Sequence, residues 1–359
     1  MKNLSEEKRQ LLRQGTVIPA HPLALTAKLQ LDEKRQRGLT KYYIAAGAGG
    51  VAVGVHTTQF EIRDPEIDLF ERVLEIASEE VGNAALTRPF LKIAGICGSS
   101  SQAIQEAELA VKHGYDLGLV SMAALADYSE DEVIEHIRTI ANIIPVFGFY
   151  LQAAIGGRVF SYEFWLKFAN VPNVLAIKVA AFNRYQTLDV ARAVCHSDRR
   201  DEITLYTGND DNIVADLLTT YRFDVNGQIV EKKFVGGLLG HWAVWTKKAV
   251  ALLAEIKECM MTGTVPIGDM LVRNVQVTDM NAAIFDPANA FHGCITGVHE
   301  VLRRQGLIEG IWTLNPEENL SVGQYEEITR VSKQYPHLTD DEFVAEFLKI
   351  ENSLSEKLV

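Results

Sequence analysis

Lys178 lies near the end of a short apolar run, Asn173-Val174-Leu175-Ala176-Ile177-Lys178-Val179-Ala180. Runs of this kind, bounded by a Pro-Asn turn, read as buried parallel strands. Lysine is among the residues least expected in one. An unpaired ammonium is costly to bury, so such a lysine sheds its proton or finds a partner. A neutral amine at a strand end is a nucleophile for carbonyl carbon. The competing reading is a lysine whose stem packs while its head snorkels to water. Free amine at neutral pH requires lowering a lysine from about 10.4 toward about 7.5, which corresponds to about 4 kcal/mol.

The elements around this lysine decide between the two readings. Short apolar runs recur at 16–25, 51–55, 91–97, 117–120, 143–150, 174–179, 203–206 and 234–239. Longer amphipathic patterns lie between them. One opens at Asp64-Pro65, one at Ser99-Ser100-Ser101, and one at the capping box Ser129 with Glu132. Eight strand-like runs alternating with helices over roughly 250 residues match a (β/α)8 TIM barrel with a C-terminal helical extension. A doubly wound open sheet is the rival, but its first strand leads into a Gly-rich phosphate turn. Here the first strand leads into Ala20-His21-Pro22, and Gly47-Ala48-Gly49-Gly50 precedes a strand, which reads as a helix stop. The expected organisation is a helical arm over 1–14, a catalytic barrel over 15–262 and a helical domain over 263–359. Asn226-Gly227 marks a hairpin within 221–233, on the face away from the chemistry.

Barrel active sites lie at the C-terminal ends of the strands. Those ends carry His56, Thr57 and Thr58 after strand two, Tyr150 and Gln152 at strand five, Lys178 at strand six, and Asn209-Asp210-Asp211 after strand seven. Each has a plain structural alternative. The threonines can bond nearby backbone, Tyr150 can be core, and at least one of Asn209, Asp210 and Asp211 suits a helix cap. His56 and His241 read as structural, since no carboxylate cluster at metal spacing accompanies them. Together a hydroxyl pair, a phenol and a lysine at one rim suit imine chemistry on a 2-oxo acid.

The remaining composition narrows the class. Four cysteines with no CxxC pair argue against a zinc site or disulfide framework and fit a reducing cytoplasm. A net charge of -12 without a basic stripe disfavours nucleic acid. No run is long enough for a membrane span, and Met1 to Gln14 lacks the apolar segment of a secretory signal. The expected partner is a small molecule, with no metal and no cofactor.

The chain resembles the dihydrodipicolinate synthase / N-acetylneuraminate lyase family over roughly residues 15 to 335. Val55-His56-Thr57-Thr58 is similar to its carboxylate loop, Phe149-Tyr150 to its strand-five tyrosine, Ala176-Ile177-Lys178 to its Gly-Ile-Lys, and Thr207-Gly208-Asn209-Asp210 to its Ser/Thr-Gly-Asp-Asp turn. The resemblance implies a class I lyase, an aldolase or dehydratase. Its implied substrate is pyruvate or another 2-oxo acid. Lys178 would be the nucleophile, Tyr150 the proton relay and Thr57 its partner, in a homodimer or homotetramer. Thr58, His56, Gln152, Asn183, Asn209 and Leu238 are the expected substrate-binding residues. The chain also departs from the pattern. The family's Tyr-Tyr-Asn stretch reads Ser121 to Asp127 here, and Ile155 stands about where a substrate-binding Arg belongs, with Arg158 shifted along. By this resemblance the pyruvate half of the site is expected and the aspartate-semialdehyde half is not. The alternative is a barrel that binds a 2-oxo acid as a sensor without turning it over.

Overall fold

The computed structural model describes residues 3–153 and 156–356. After helix α1 (Glu6–Gln14), strands and helices alternate: β1 (Val17–Pro19), α2 (Glu33–Ala46), β2 (Gly50–Val53), α3 (Phe70–Asn83), β3 (Leu91–Ile96), α4 (Ser100–Lys112), β4 (Leu117–Val120) and α5 (Glu130–Ala141). The second half continues with β5 (Val146–Leu151), α6 (Tyr162–Ala169), β6 (Val174–Ala180), α7 (Arg184–His196), β7 (Thr204–Thr207) and α8 (Ile213–Leu218). A hairpin, β8 (Thr220–Val225) and β9 (Gln228–Leu239), then leads to α9 (Thr246–Thr262) and the tail helices α10 (Ile267–Phe285), α11 (Cys294–Arg304), α12 (Gln324–Gln334) and α13 (Asp341–Glu356).

The sheet runs β1-β9-β7-β6-β5-β4-β3-β2, and an isolated parallel bridge between Ala20 and Ala52 joins its two edges. Eight parallel strands thus form a nearly closed barrel ringed by helices. The last barrel strand is the second half of β9. Its first half pairs antiparallel with β8 across Asn226-Gly227, both at positive φ, as the sequence signals.

Alternation along each strand sends one set of side chains to the axis and the other to the helices. Phe147, Phe149 and Leu151 of β5 and Ala176 and Ala180 of β6 belong to the axial cluster, whereas Tyr150, Ile177 and Val179 belong to the outer one. The N-terminal arm closes the bottom of the axis. Leu4 and Leu12 join the axial cluster, Tyr206 donates its hydroxyl to the Leu12 carbonyl at 2.9 Å, and Lys8 pairs with Asp116 at 2.7 Å.

Three local expectations differ from the structure. The helix read from Asp64-Pro65 starts at Phe70. The Asp64 carboxylate accepts the Glu66 N–H and the Leu69 N–H returns to the Ile62 carbonyl, so the segment turns before it coils. Helix α2 is given no bounds in the sequence, though Gly47 reads as its stop, because its buried face includes the polar Gln36 and Thr40. Helix α10 does so because Leu271, Val272 and Val275 are exposed, which blurs the apolar period. No helix among the described residues is long and apolar enough to cross a membrane.

Candidate active site

A cavity of about 70 Å³ opens at the C-terminal ends of the strands. A single water requires about 10–15 Å³ on this scale, so the space suits a small organic molecule. Its polar wall comes from His56 and Thr57 after β2, Gln152 after β5, Lys178 on β6 and Asp210 after β7. Its apolar wall comes from Val55, Phe149, Leu151, Ala180 and Phe182, and from three tail residues, Phe285, Phe291 and Cys294. The tail therefore roofs the barrel mouth. The turn that delivers it is strained: Asp286, Ala290 and Phe291 all carry positive φ, at a cost on the order of 1 kcal/mol or more each. Asp286 holds the turn by accepting the Ser321 hydroxyl and the Gly293 N–H, and Phe291 meets Phe182 edge-on at 5.9 Å.

Lys178 is 8% exposed and makes no ion pair or hydrogen bond among the described residues. Its amine lies 4.4 Å from the centroid of the Phe149 ring, its register partner on β5. Gly208 on the neighbouring loop leaves room for its stem, since a Cβ there would lie 2.5 Å from the Lys178 Cε. Burial pulls the amine below the ordinary lysine range, and the charge of Asp210 opposes part of that shift. The same burial pushes the Asp210 carboxyl up, offset by the His241 N–H that it accepts at 2.9 Å and by the lysine charge. Burial and the nearby lysine charge lower His56 to about 4, so its ring is neutral at neutral pH.

Thr57 lines the cavity with its hydroxyl 3.3 Å from the His21 carbonyl. Thr58 does not line it. Its hydroxyl donates to the His21 carbonyl and accepts the Gly54 and Val55 N–H groups, which fixes the 56–58 turn. The leading N–H groups of such a turn lack internal acceptors.

Tyr150 requires a correction. It lies one residue out of the inward frame, in the helix layer, with its ring 4.9 Å from that of Trp165. Burial pushes its phenol up to about 12, against a smaller effect of the Phe160 backbone. Phe149 occupies the inward position, and it carries no proton to relay. Three further expected residues lie outside the cavity wall. Asn183 caps α7 through the Tyr185 and Gln186 N–H groups. Asn209 accepts the Phe182 N–H and donates to Asp216. Leu238 is packed in the axial cluster. Ile155 lies outside the described residues, and Arg158 donates to the Tyr128 carbonyl rather than facing the cavity. The residues that sequence reasoning did not assign to the site are Asp210, read there as a possible cap and as the end of the Thr207-Gly208-Asn209-Asp210 turn, and the aromatic roof. Counting alternate residues from Phe147 would have found Phe149. Nothing local in the sequence marks Phe285 or Phe291. Among the described residues no cluster of His, Cys, Asp and Glu could hold a metal ion.

A family model described as the dihydrodipicolinate synthetase family matches residues 14–225. The 4-hydroxy-tetrahydrodipicolinate synthase of Microcystis aeruginosa is 27% identical over 201 residues, spanning 55% of this chain and 63% of that protein. The chain thus covers less than two thirds of that relative's length. Two solved structures share the fold. Dihydrodipicolinate synthase from Oceanobacillus iheyensis matches with a TM-score of 0.71 at 17% identity, over 92% of this chain and 99% of that one. N-acetylneuraminate lyase from Fusobacterium nucleatum matches with a TM-score of 0.69 at 16% identity, over 90% and 99%. With a family match across more than half its length and a barrel whose cavity lies at the strand ends, the chain belongs to the dihydrodipicolinate synthetase family.

Proposed function

We propose that this chain is a class I lyase, an aldolase or dehydratase, that binds pyruvate or another 2-oxo acid as an imine on Lys178. The observation that carries the reading is a buried amine that makes no ion pair or hydrogen bond among the described residues, in the wall of a small cavity. Desolvation favours its neutral, nucleophilic form. Once the imine forms, its positive nitrogen draws electrons from the adjacent carbon, which permits bond making or breaking there. The Phe149 face, 4.4 Å from the amine, suits a cation at that point. Thr57 and the leading N–H groups of the 56–58 turn are the candidate carboxylate donors, with Gln152 and His56 beside them. Cavity volume fits a molecule of pyruvate's size. A soluble, cytoplasmic homodimer or homotetramer is the expected setting.

The loss of an inward phenol favours a second reading, a barrel that forms the imine without turnover. One experiment separates the readings. Pyruvate and a panel of longer 2-oxo acids are incubated with the protein, reduced with borohydride and weighed as intact protein. One adduct per chain is the expected result, and no adduct with any acid would overturn both readings. Release of product from any panel member would reject the sensor. Tyr150→Phe is expected to leave the trapping rate essentially unchanged, whereas loss of a true relay would slow it about 10²-fold or more.

A further inference from the structure

Imine formation needs a group that moves protons between nitrogen and the departing oxygen, and the inward face of β5 offers only the apolar Phe147, Phe149 and Leu151. Five polar side chains line the cavity. Gln152 and Thr57 do not ionise usefully at neutral pH. His56 is held neutral by burial and by the lysine charge, so it has no imidazolium proton to give as an acid. The Cys294 thiol, from the roof, is pushed well above its ordinary range by burial and by nearby carboxylates. His241 lies outside the wall, where its backbone N–H donates to Asp210, and burial lowers its ring to about 4. Asp211 lies outside the wall. Asp210 remains. It is 5% exposed, anchored at Oδ1 by the His241 N–H, and its other oxygen has no hydrogen-bond partner among the described residues. It follows β7, whose Tyr206 pairs in register with Lys178, so its loop adjoins the amine.

We propose that Asp210 is the acid and base of imine formation on Lys178, doing with a carboxyl what an inward phenol would otherwise do. This rests on the reading of Lys178 as the imine-forming lysine. The neutral amine attacks the ketone carbon, a carbon–nitrogen bond forms, and the carbonyl electron pair moves to oxygen, which takes the Asp210 proton. The Asp210 carboxylate then removes a proton from the cationic nitrogen, giving a neutral carbinolamine. It returns that proton to the hydroxyl group, the carbon–oxygen bond breaks, water leaves, and the nitrogen pair forms the iminium. The net change is amine plus carboxylic acid plus ketone to iminium plus carboxylate plus water. The cation so formed stands between a new anion and the Phe149 ring. Burial supports the starting state, because it disfavours both charges and favours a shared proton.

The test is the rate of borohydride trapping with pyruvate across pH, in the wild-type chain, Asp210→Asn and Asp210→Glu. Asparagine keeps an acceptor for the His241 N–H, so the fold is expected to survive. Trapping by Asp210→Asn is expected to slow by about 10²–10⁴-fold, with the pyruvate concentration for half saturation changed far less. The wild-type profile is expected to be bell-shaped: it falls at low pH as the amine gains a proton and at high pH as the acid loses its own. Asp210→Asn loses the alkaline limb, and Asp210→Glu recovers part of the rate. Equal trapping by Asp210→Asn with both limbs intact would overturn the role of Asp210 alone. Should that variant misfold, a wild-type profile with no alkaline limb would overturn it equally. A wild-type chain that traps no 2-oxo acid would instead overturn the Lys178 reading, and the role of Asp210 with it.

Discussion

Lys178→Met is expected to abolish trapping of any 2-oxo acid and to make the protein more stable. Methionine keeps an unbranched stem against Gly208 and Phe149 but removes the amine. The gain in stability follows from the sign of the lysine's shift. Burial lowers its folded-state value, so the unfolded chain holds the proton more tightly. The resulting penalty is complete below the lowered value and disappears as pH rises through the unfolded value of about 10.4. At neutral pH the variant is expected to gain on the order of 2 kcal/mol, and the gain should fade in alkaline buffer. Asp210 loses its cationic neighbour in this variant and stays protonated, so no new buried charge offsets the gain. Urea unfolding at two pH values checks the result. A variant that is less stable than the wild type at neutral pH would show that the amine is not paying a desolvation cost.

Glu106→Ala is expected to lower stability by about 3–5 kcal/mol, the usual effect of stranding one member of a buried ion pair. Arg63 and Glu106 are 9% and 6% exposed and meet at 2.8 Å. The Arg63 guanidinium also donates to the Gly54 and Gly95 carbonyls, at the ends of β2 and β3, and stacks 4.3 Å over Phe70. Glu106 in turn accepts the Cys97 N–H at 2.9 Å. The pair therefore ties the ends of two adjacent strands together, one of them the strand that leads into the 56–58 turn of the cavity wall. Removing the carboxylate leaves a buried cation and a free N–H. Denaturant unfolding measures the loss, and trapping by the folded fraction should weaken as the turn loosens. An unchanged unfolding midpoint would mean that Arg63 finds enough compensation in the two carbonyls.

The barrel was readable because it is written in local patterns: eight apolar runs, a formed capping box at Ser129 and Glu132, and an Asn-Gly turn that closes a hairpin as expected. Lys178 was readable because a charge inside an apolar strand has few structural explanations. Tyr150 misled for a geometric reason. A one-residue change of frame moves a strand side chain from the axis to the helix layer, and Phe149-Tyr150 offers an aromatic in both frames. Asn183 and Asn209 were drawn toward the substrate by their chemistry, yet their amides are committed to backbone and to Asp216. Asp210 sits beside them in sequence and cannot be told from a cap until the structure places it in the cavity wall with one oxygen unbonded among the described residues. The Arg63–Glu106 pair and the aromatic roof join residues distant in sequence, and no spacing rule announces them.

The most direct test of the buried, reactive amine is a peptide map of the protein after borohydride reduction in the presence of pyruvate. The expected result is a reduced adduct confined to the peptide that carries Lys178, at one per chain. An adduct spread over surface lysines, or one that leaves the Lys178 peptide unmodified, would contradict it.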